Sequence, residues 1–111
     1  MYLQIKELLS GKNRPDGIVA SVERLAMSLY LITQEMKIAI PDELMMVAFS
    51  TVETAPILNP SLTTIVQPAF DIGKTAAELL FKKIEKKKFI LSDEIVTLPS
   101  VLIERVSSQR S

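Results

Sequence analysis

Two pairs of adjacent carboxylates are the residues of this chain best suited to acid–base chemistry. Asp42 and Glu43 follow a proline, and Asp93 and Glu94 lie near the end of the chain. Neighbours in sequence point apart on a strand or a helix, and turns and helix starts favour acidic groups. We therefore expect both pairs to be structural, and we predict no catalytic residue.

The residue types that are missing exclude further chemistry. No Cys and no His occur among the 111 residues, which removes thiol redox chemistry, disulfides, Ser-His and Cys-His nucleophiles and most zinc sites. Gly11, Gly17 and Gly73 are too scattered to form a phosphate-binding loop. We predict no metal and no cofactor, so the remaining class of function is binding.

The charge balance limits the choice of partner. Thirteen basic and thirteen acidic side chains cancel, so this chain is not expected to bind DNA by itself. The basic cluster Lys82–Lys88 suits the end of a helix, where lysines complement the dipole, better than it suits phosphate binding. The amino terminus is too short and too charged for a membrane span or a secretory signal, and no membrane partner is expected.

The hydrophobic pattern predicts an α/β fold. A helix over residues 1–9 precedes an apolar run, Ile18–Val22, which is typical of a strand buried on both faces. A helix over Glu23–Met36 and a second strand over Leu44–Phe49 complete a unit of strand, helix and strand. Such units are right-handed crossovers between parallel strands, so we predict part of a doubly wound parallel sheet.

Polar residues follow both predicted strands at their carboxyl ends. Ser21 and Val22 end the first strand, and Ser50, Thr51 and Glu53 follow the second. Open α/β sheets bind ligands at this edge, so these residues could form the wall of a small-molecule cleft. They could equally be loop residues that only terminate strands, and the pattern leaves both interpretations open.

The second half of the chain predicts a short strand, a helix and two closing strands. The strand covers Leu62–Val66, and the helix runs from Phe70 to about Lys87. Glu94–Leu98 and Val101–Glu104 are the closing strand candidates. Ser107–Ser111 is polar and is expected to be a frayed tail.

The helix predicted at Glu23–Met36 is apolar nearly all round. The stripe that would face the sheet consists of Leu25, Leu29, Ile32 and Met36. The opposite side carries Met27, Tyr30 and Leu31. A helix of this kind buries more than one face, through extra packing within the monomer or through a subunit interface.

Several segments, in order along the chain, resemble the LacI/GalR family of bacterial transcription regulators. The most specific is Asn59–Pro68, NPSLTTIVQP, which is similar to the family's NPPLTTVRQP. RPDGIVAS at Arg14–Ser21 resembles RPDAIFAA, and IPDEL at Ile40–Leu44 resembles IPEDV. Leu98-Pro99 and the later LIER resemble the closing LPPELVVRES, so the likeness covers nearly the whole chain.

This resemblance implies the core of a larger protein. Family members have an N-terminal helix-turn-helix DNA-binding region and a two-lobed core similar to periplasmic sugar-binding proteins. On that plan residues 1–61 belong to the C-terminal lobe and residues 62–68 cross over. Residues 69–90 form a helix of the N-terminal lobe, and residues 91–111 supply closing strands. The DNA-binding domain is absent from this sequence.

The resemblance also implies functional residues. The positions that correspond to effector contacts are Ser21, Val22, Ser50 and Ala69. Val22 replaces a family Asn and Ser50 replaces a family Asp, and both of those side chains commonly bind sugar hydroxyls, so the effector is not expected to be a simple monosaccharide bound in the usual way. The implied dimer contacts are Met27, Tyr30, Leu31, Ile57 and Leu58, which favours the interface interpretation of the helix.

The predicted function is therefore the ligand-sensing and dimerisation portion of a cytoplasmic LacI/GalR-type regulator. It would form a homodimer, bind a small-molecule effector, and reach DNA only through the missing domain. The alternative is a periplasmic sugar-binding protein of a transport system, which would need a secretory signal upstream. An enzyme on a Rossmann-like half-domain is disfavoured because His, Cys and a phosphate loop are all missing.

Overall fold

The computed structural model of the chain describes residues 1–85 and 95–110. In chain order the elements are α1 (Tyr2–Ser10), β1 (Gly17–Ala20), α2 (Glu23–Met36), β2 (Met45–Phe49), β3 (Thr63–Val66), α3 (Ala69–Glu85) and β4 (Val101–Ile103). Two single-turn 3-10 helices lie at Ala55–Ile57 and Val106–Ser108. The chain forms two compact units, one of Met1–Val66 with Val101–Ser111 and one of Gln67–Ser100.

The first unit is built on a four-stranded sheet with the order β1-β2-β3-β4. The strands β1, β2 and β3 are parallel, with Ala20 opposite Ala48 and Ala48 opposite Thr64. The last strand runs antiparallel to β3, with Thr64 opposite Ile103. This mixed but mainly parallel sheet confirms the predicted α/β class.

The core of this unit lies between α2 and the sheet. Leu29 and Ile32 of the predicted helix stripe are fully buried, while Leu25 and Met36 are partly buried against the same core. Thr33 is also buried, and its hydroxyl donates to the carbonyl of Leu29 at 2.8 Å, so this polar group in the core is paired. The buried apolar residues are Leu9, Ala20, Ala26, Leu29, Ile32, Ile38, Leu44, Met46, Ala48, Ala55 and Leu62.

Helix α1 lies beside α2. Leu9 inserts into the core, and Ile5 packs against it. At the surface, the Tyr2 hydroxyl donates to a carboxylate oxygen of Glu35 at 2.5 Å, and Lys6 Nζ lies 3.6 Å from the same oxygen. The carboxylate therefore joins two helices, and its pKa is lowered chiefly by the hydrogen bond from Tyr2.

The strands begin and end slightly differently from the predicted positions. The strand predicted at Ile18–Val22 covers Gly17–Ala20, because Val22 already precedes the first turn of α2 and its carbonyl accepts the Leu25 N–H at 3.2 Å. The second and third strands begin one residue later than predicted, at Met45 and Thr63.

Two predictions for the end of the chain are wrong. Residues 95–98, the described part of the predicted strand Glu94–Leu98, form no strand, whereas β4 does form over Val101–Ile103. The predicted frayed tail is instead ordered by a 3-10 turn in which Ser107 is 0% exposed. Glu94 and Ser111 lie outside the described residues, as do Asp93 and Lys86–Lys88 of the sequence motifs.

The second unit contains α3 and the segment 95–100. Ile72, Ala76 and Leu79 line a cleft of about 480 Å³ together with Val96 and Leu98. None of the 17 residues of α3 is buried. Among the described residues, no helix is both long enough and apolar enough to span a membrane.

Candidate functional site

The carboxyl ends of β1 and β2 meet at one edge of the sheet, as predicted for the polar residues that follow them. Ala20 and Ala48 are paired in the parallel ladder. Beyond this pair, Ser21 and Val22 follow the end of β1, and Ser50 follows the end of β2. The structure thus brings three of the four predicted effector residues to the same edge.

Ser50 is held firmly at this edge. It is 9% exposed, and its N–H donates to the carbonyl of Ile65 in β3 at 3.2 Å. Its hydroxyl oxygen accepts the N–H of Val52 at 3.0 Å. The hydroxyl thus shapes the turn that follows β2. Because it acts there as an acceptor, its O–H can still donate to another group.

Ser21 and Val22 are more open to solvent. Ser21 is exposed, and the Val22 side chain is 51% exposed. Val22 occupies the capping position of α2 without a side-chain hydrogen bond to the helix, because an isopropyl group cannot accept one. These positions therefore offer one hydroxyl and one apolar surface, and the chemistry they support is binding.

Ala69, the fourth predicted effector residue, belongs to the other compact unit. It is the exposed first residue of α3 and belongs to the unit Gln67–Ser100, whereas Ser21, Val22 and Ser50 belong to the first unit.

The predicted dimer residues differ in exposure. Leu31 is 59% exposed and Ile57 is 80% exposed, so both side chains are available to a partner. Met27 and Leu58 are partly buried and pack against the core. The Tyr30 hydroxyl donates to the carbonyl of Pro60 at 2.6 Å, and burial raises the pKa of this phenol to about 12.

One of the adjacent carboxylates, Glu43, has structural contacts. Glu43 accepts a hydrogen bond from Arg14 at 3.3 Å and lies 3.4 Å from the N–H of Ala39, so it ties together the loops before β1 and β2. Within residues 1–85 and 95–110, no three His, Cys, Asp or Glu side chains are grouped in a way that could hold a metal ion.

Sequence reasoning missed a buried polar cluster near the end of the chain. Thr63 is 1% exposed and Ser107 is 0% exposed, and the Thr63 N–H donates to the Ser107 hydroxyl at 2.8 Å. The signal available was the run of hydroxyl residues in TT and SS, but hydroxyls in a terminal segment usually indicate exposure.

Comparison with known proteins relates this geometry to a family. A model of the periplasmic binding protein-like domain matches residues 2–108. The lactose operon repressor of Rhizobium radiobacter is 35% identical over 109 residues, which cover 98% of this chain and 94% of that protein. The chain belongs to the LacI-type branch of this family.

Other relatives of this LacI-type core are longer. The repressor PurR of Photobacterium profundum is 30% identical over 100 residues, which cover 86% of this chain and 30% of PurR. The LacI-family regulator of Enterococcus faecium, solved with bound ribose, is 30% identical with a TM-score of 0.77 over 96% of this chain and 38% of that one. The regulator of Enterococcus faecalis V583, also solved with ribose, is 34% identical with a TM-score of 0.78 over 96% of this chain and 39% of its own.

These matches confirm the resemblance to the effector-binding core of LacI-type regulators. This LacI-type chain spans 38% and 39% of the lengths of these two solved regulators.

Proposed function

We propose that this chain is the ligand-sensing and dimerisation portion of a bacterial transcription regulator. The observation that supports it is the shared edge of β1 and β2, where Ser21 and Val22 follow one strand and Ser50 follows the other, in a chain of the LacI-type family. The named relatives are repressors, which favours regulation over the alternative of a periplasmic transport receptor. The proposal includes no catalytic step and places the protein in the cytoplasm.

The proposed partners follow from the same plan. DNA binding would come from a domain outside this sequence, because the zero net charge gives the chain itself no attraction for a polyanion. We assign residues 1–61 to the C-terminal lobe, residues 62–68 to the crossover, residues 69–90 to an N-terminal-lobe helix and residues 91–111 to the closing strands. Effector binding would alter DNA affinity by changing the arrangement of the lobes within a homodimer.

We further propose that the effector is not a simple monosaccharide bound in the usual way. Val22 offers an apolar surface, and the Ser50 hydroxyl is already engaged by the Val52 N–H. An amide and a carboxylate at these two positions would add about 2–5 kcal/mol of oriented hydrogen bonding to a polyol. That energy corresponds to about 30- to 5,000-fold in affinity.

Calorimetric titration of D-ribose into the complete protein tests both parts of the proposal. We expect no micromolar binding to the parent protein. Val22→Asn combined with Ser50→Asp is expected to tighten ribose binding at least tenfold. Val19→Asn is the matched control, because Val19 is an exposed valine in β1, close to Val22 in sequence, at 65% exposure.

The possible outcomes separate the two claims. Micromolar ribose binding by the parent protein would refute the effector class and leave the sensing function intact. If the double variant gains no more affinity than Val19→Asn, the edge of β1 and β2 is not the ligand site, and the sensing role of this surface is refuted.

A further inference from the structure

The C-terminal turn is fastened to the sheet by a set of buried and partly buried hydrogen bonds, here named the C-terminal network. Its members are Thr63, Arg105, Ser107 and Ser108. The Ser107 hydroxyl donates to the carbonyl of Met46 in β2 at 2.6 Å and accepts the N–H of Thr63 in β3 at 2.8 Å. One side chain that comes after β4 therefore bridges β2 and β3.

Thr63 is the centre of the network. Its hydroxyl accepts the N–H of Arg105 at 2.8 Å and can donate to the Arg105 carbonyl at 3.0 Å. The Ser108 hydroxyl oxygen lies 2.6 Å from the Thr63 hydroxyl oxygen. Because the Thr63 side chain is 1% exposed, water cannot easily replace these partners.

The Arg105 side chain extends the network along β3. Its Nη1 donates to the carbonyl of Leu62 at 2.7 Å and to the hydroxyl of Thr64 at 3.0 Å. Ser61 adds two further bonds, since its carbonyl accepts the Ser107 N–H at 2.9 Å and its hydroxyl accepts the Val106 N–H at 3.2 Å. Four consecutive residues, the two before β3 and the first two of β3, are thus held by the C-terminal segment.

By contrast, β4 has little attachment of its own. It is three residues long, and Val101, Leu102 and Ile103 are 57%, 56% and 37% exposed. A three-residue edge strand that buries so little apolar surface is only marginally stable through its ladder. The C-terminal network supplies the buried contacts that the strand lacks.

The strands β3 and β4 flank residues 67–100 in the sequence. The chain leaves the first unit at Val66–Gln67, directly after β3, and returns at Ser100–Val101, directly before β4. We propose that the C-terminal network is a conformational device that joins β3 and β4 into one cooperative unit. The two strands that lead into and out of residues 67–100 then lose and regain their hydrogen bonding together, whatever the effector is.

Hydrogen–deuterium exchange on the full chain, followed by mass spectrometry, tests this proposal. In the parent chain we expect peptides containing residues 62–66 and 101–105 to exchange with the same dependence on urea. Ser107→Ala is expected to speed exchange about tenfold in both peptides and to leave the peptide of β1 unchanged. Gln109→Ala is the control, because the Gln109 side chain is exposed and no effect is expected.

Three results would overturn the proposal. The first is faster exchange of β4 than of β3 in the parent chain, and the second is acceleration by Ser107→Ala in residues 105–108 alone. The third is equal acceleration of every peptide, which would make the network a part of the general core. If Ser107→Ala does not fold, Thr63→Val removes the central hydroxyl at nearly constant volume, and the same outcomes apply.

Discussion

Replacing Leu31 or Ile57 with Glu should separate the subunits of the proposed dimer without unfolding the chain. The two side chains are 59% and 80% exposed, so neither contributes much to the core of one copy. Full burial of a Leu or Ile side chain stabilises by about 1.5–3 kcal/mol. Scaled by the exposed fractions, a partner that covers both would gain about 1–2 kcal/mol from Leu31 and about 1–2.5 kcal/mol from Ile57 per copy.

A twofold dimer contains each contact twice, so the loss doubles. Leu31→Glu should therefore cost about 2–4 kcal/mol of dimer stability, or about a 30- to 700-fold increase in the dissociation constant. Sedimentation equilibrium across a range of concentrations measures this constant directly. Unfolding in urea, at concentrations where the parent and the variants are all monomeric, should show the midpoint of each variant close to that of the parent, because both sites are on the surface of one copy.

Two controls identify the surface involved. Leu8→Glu introduces the same charge on α1 at 55% exposure, and Phe81→Glu introduces it on α3 at 61% exposure. We expect both controls to dimerise as the parent does. A dimer that survives Leu31→Glu and Ile57→Glu, or one that is lost only with Phe81→Glu, would refute the assignment of the interface to α2 and Ala55–Ile57.

The remaining predictions concern the fold and its titratable groups. Ile32→Ala should lower the free energy of unfolding by about 2–5 kcal/mol, since Ile32 is 0% exposed, while Leu3→Ala, at a leucine that is 76% exposed and outside the proposed interface, should change it by less than about 0.5 kcal/mol in urea titrations. Burial holds the proton of Tyr30 more tightly in the folded chain, so its contribution to stability is full below pH 10 and is lost between pH 10 and about 12. Absorbance at 295 nm should show neither of the two tyrosines half-ionised at pH 10.0 in the folded protein, because the pKa of Tyr2 is also raised, by its bond to Glu35. Tyr2→Phe should return the lowered pKa of Glu35 toward its ordinary value in an NMR titration, and an unchanged value would contradict the Tyr2–Glu35 contact.

Local pattern was sufficient to predict the elements that carry strong periodicity. The helix predicted at Glu23–Met36 has these same bounds in the structure, because its apolar stripe is encoded locally. The strand bounds in the structure differ from the predicted bounds by one or two residues, because a strand ends where its neighbour stops pairing with it. Strand β1 ends at Ala20, because Val22 already caps the following helix α2.

The C-terminal turn could not be predicted for a different reason. Ser107 is buried because of Met46 and Thr63, which are 61 and 44 residues away in sequence. Only the folded sheet brings these groups together, so a local pattern indicates an exposed tail. The edge shared by Val22 and Ser50 was accessible from sequence, because parallel strands joined by a right-handed crossover end at the same side. Its role in binding an effector remains a prediction.

Hydrogen exchange of the complete protein with a panel of sugars, nucleobases and other metabolites is the most direct test of the sensing role. Each compound that alters the affinity of the protein for its promoter DNA would be compared with an inactive analogue. We expect the active compound to slow exchange at Ser21–Val22 and at Ser50–Thr51. A compound that alters DNA affinity and leaves both segments unchanged would contradict the assignment of this edge as the effector site.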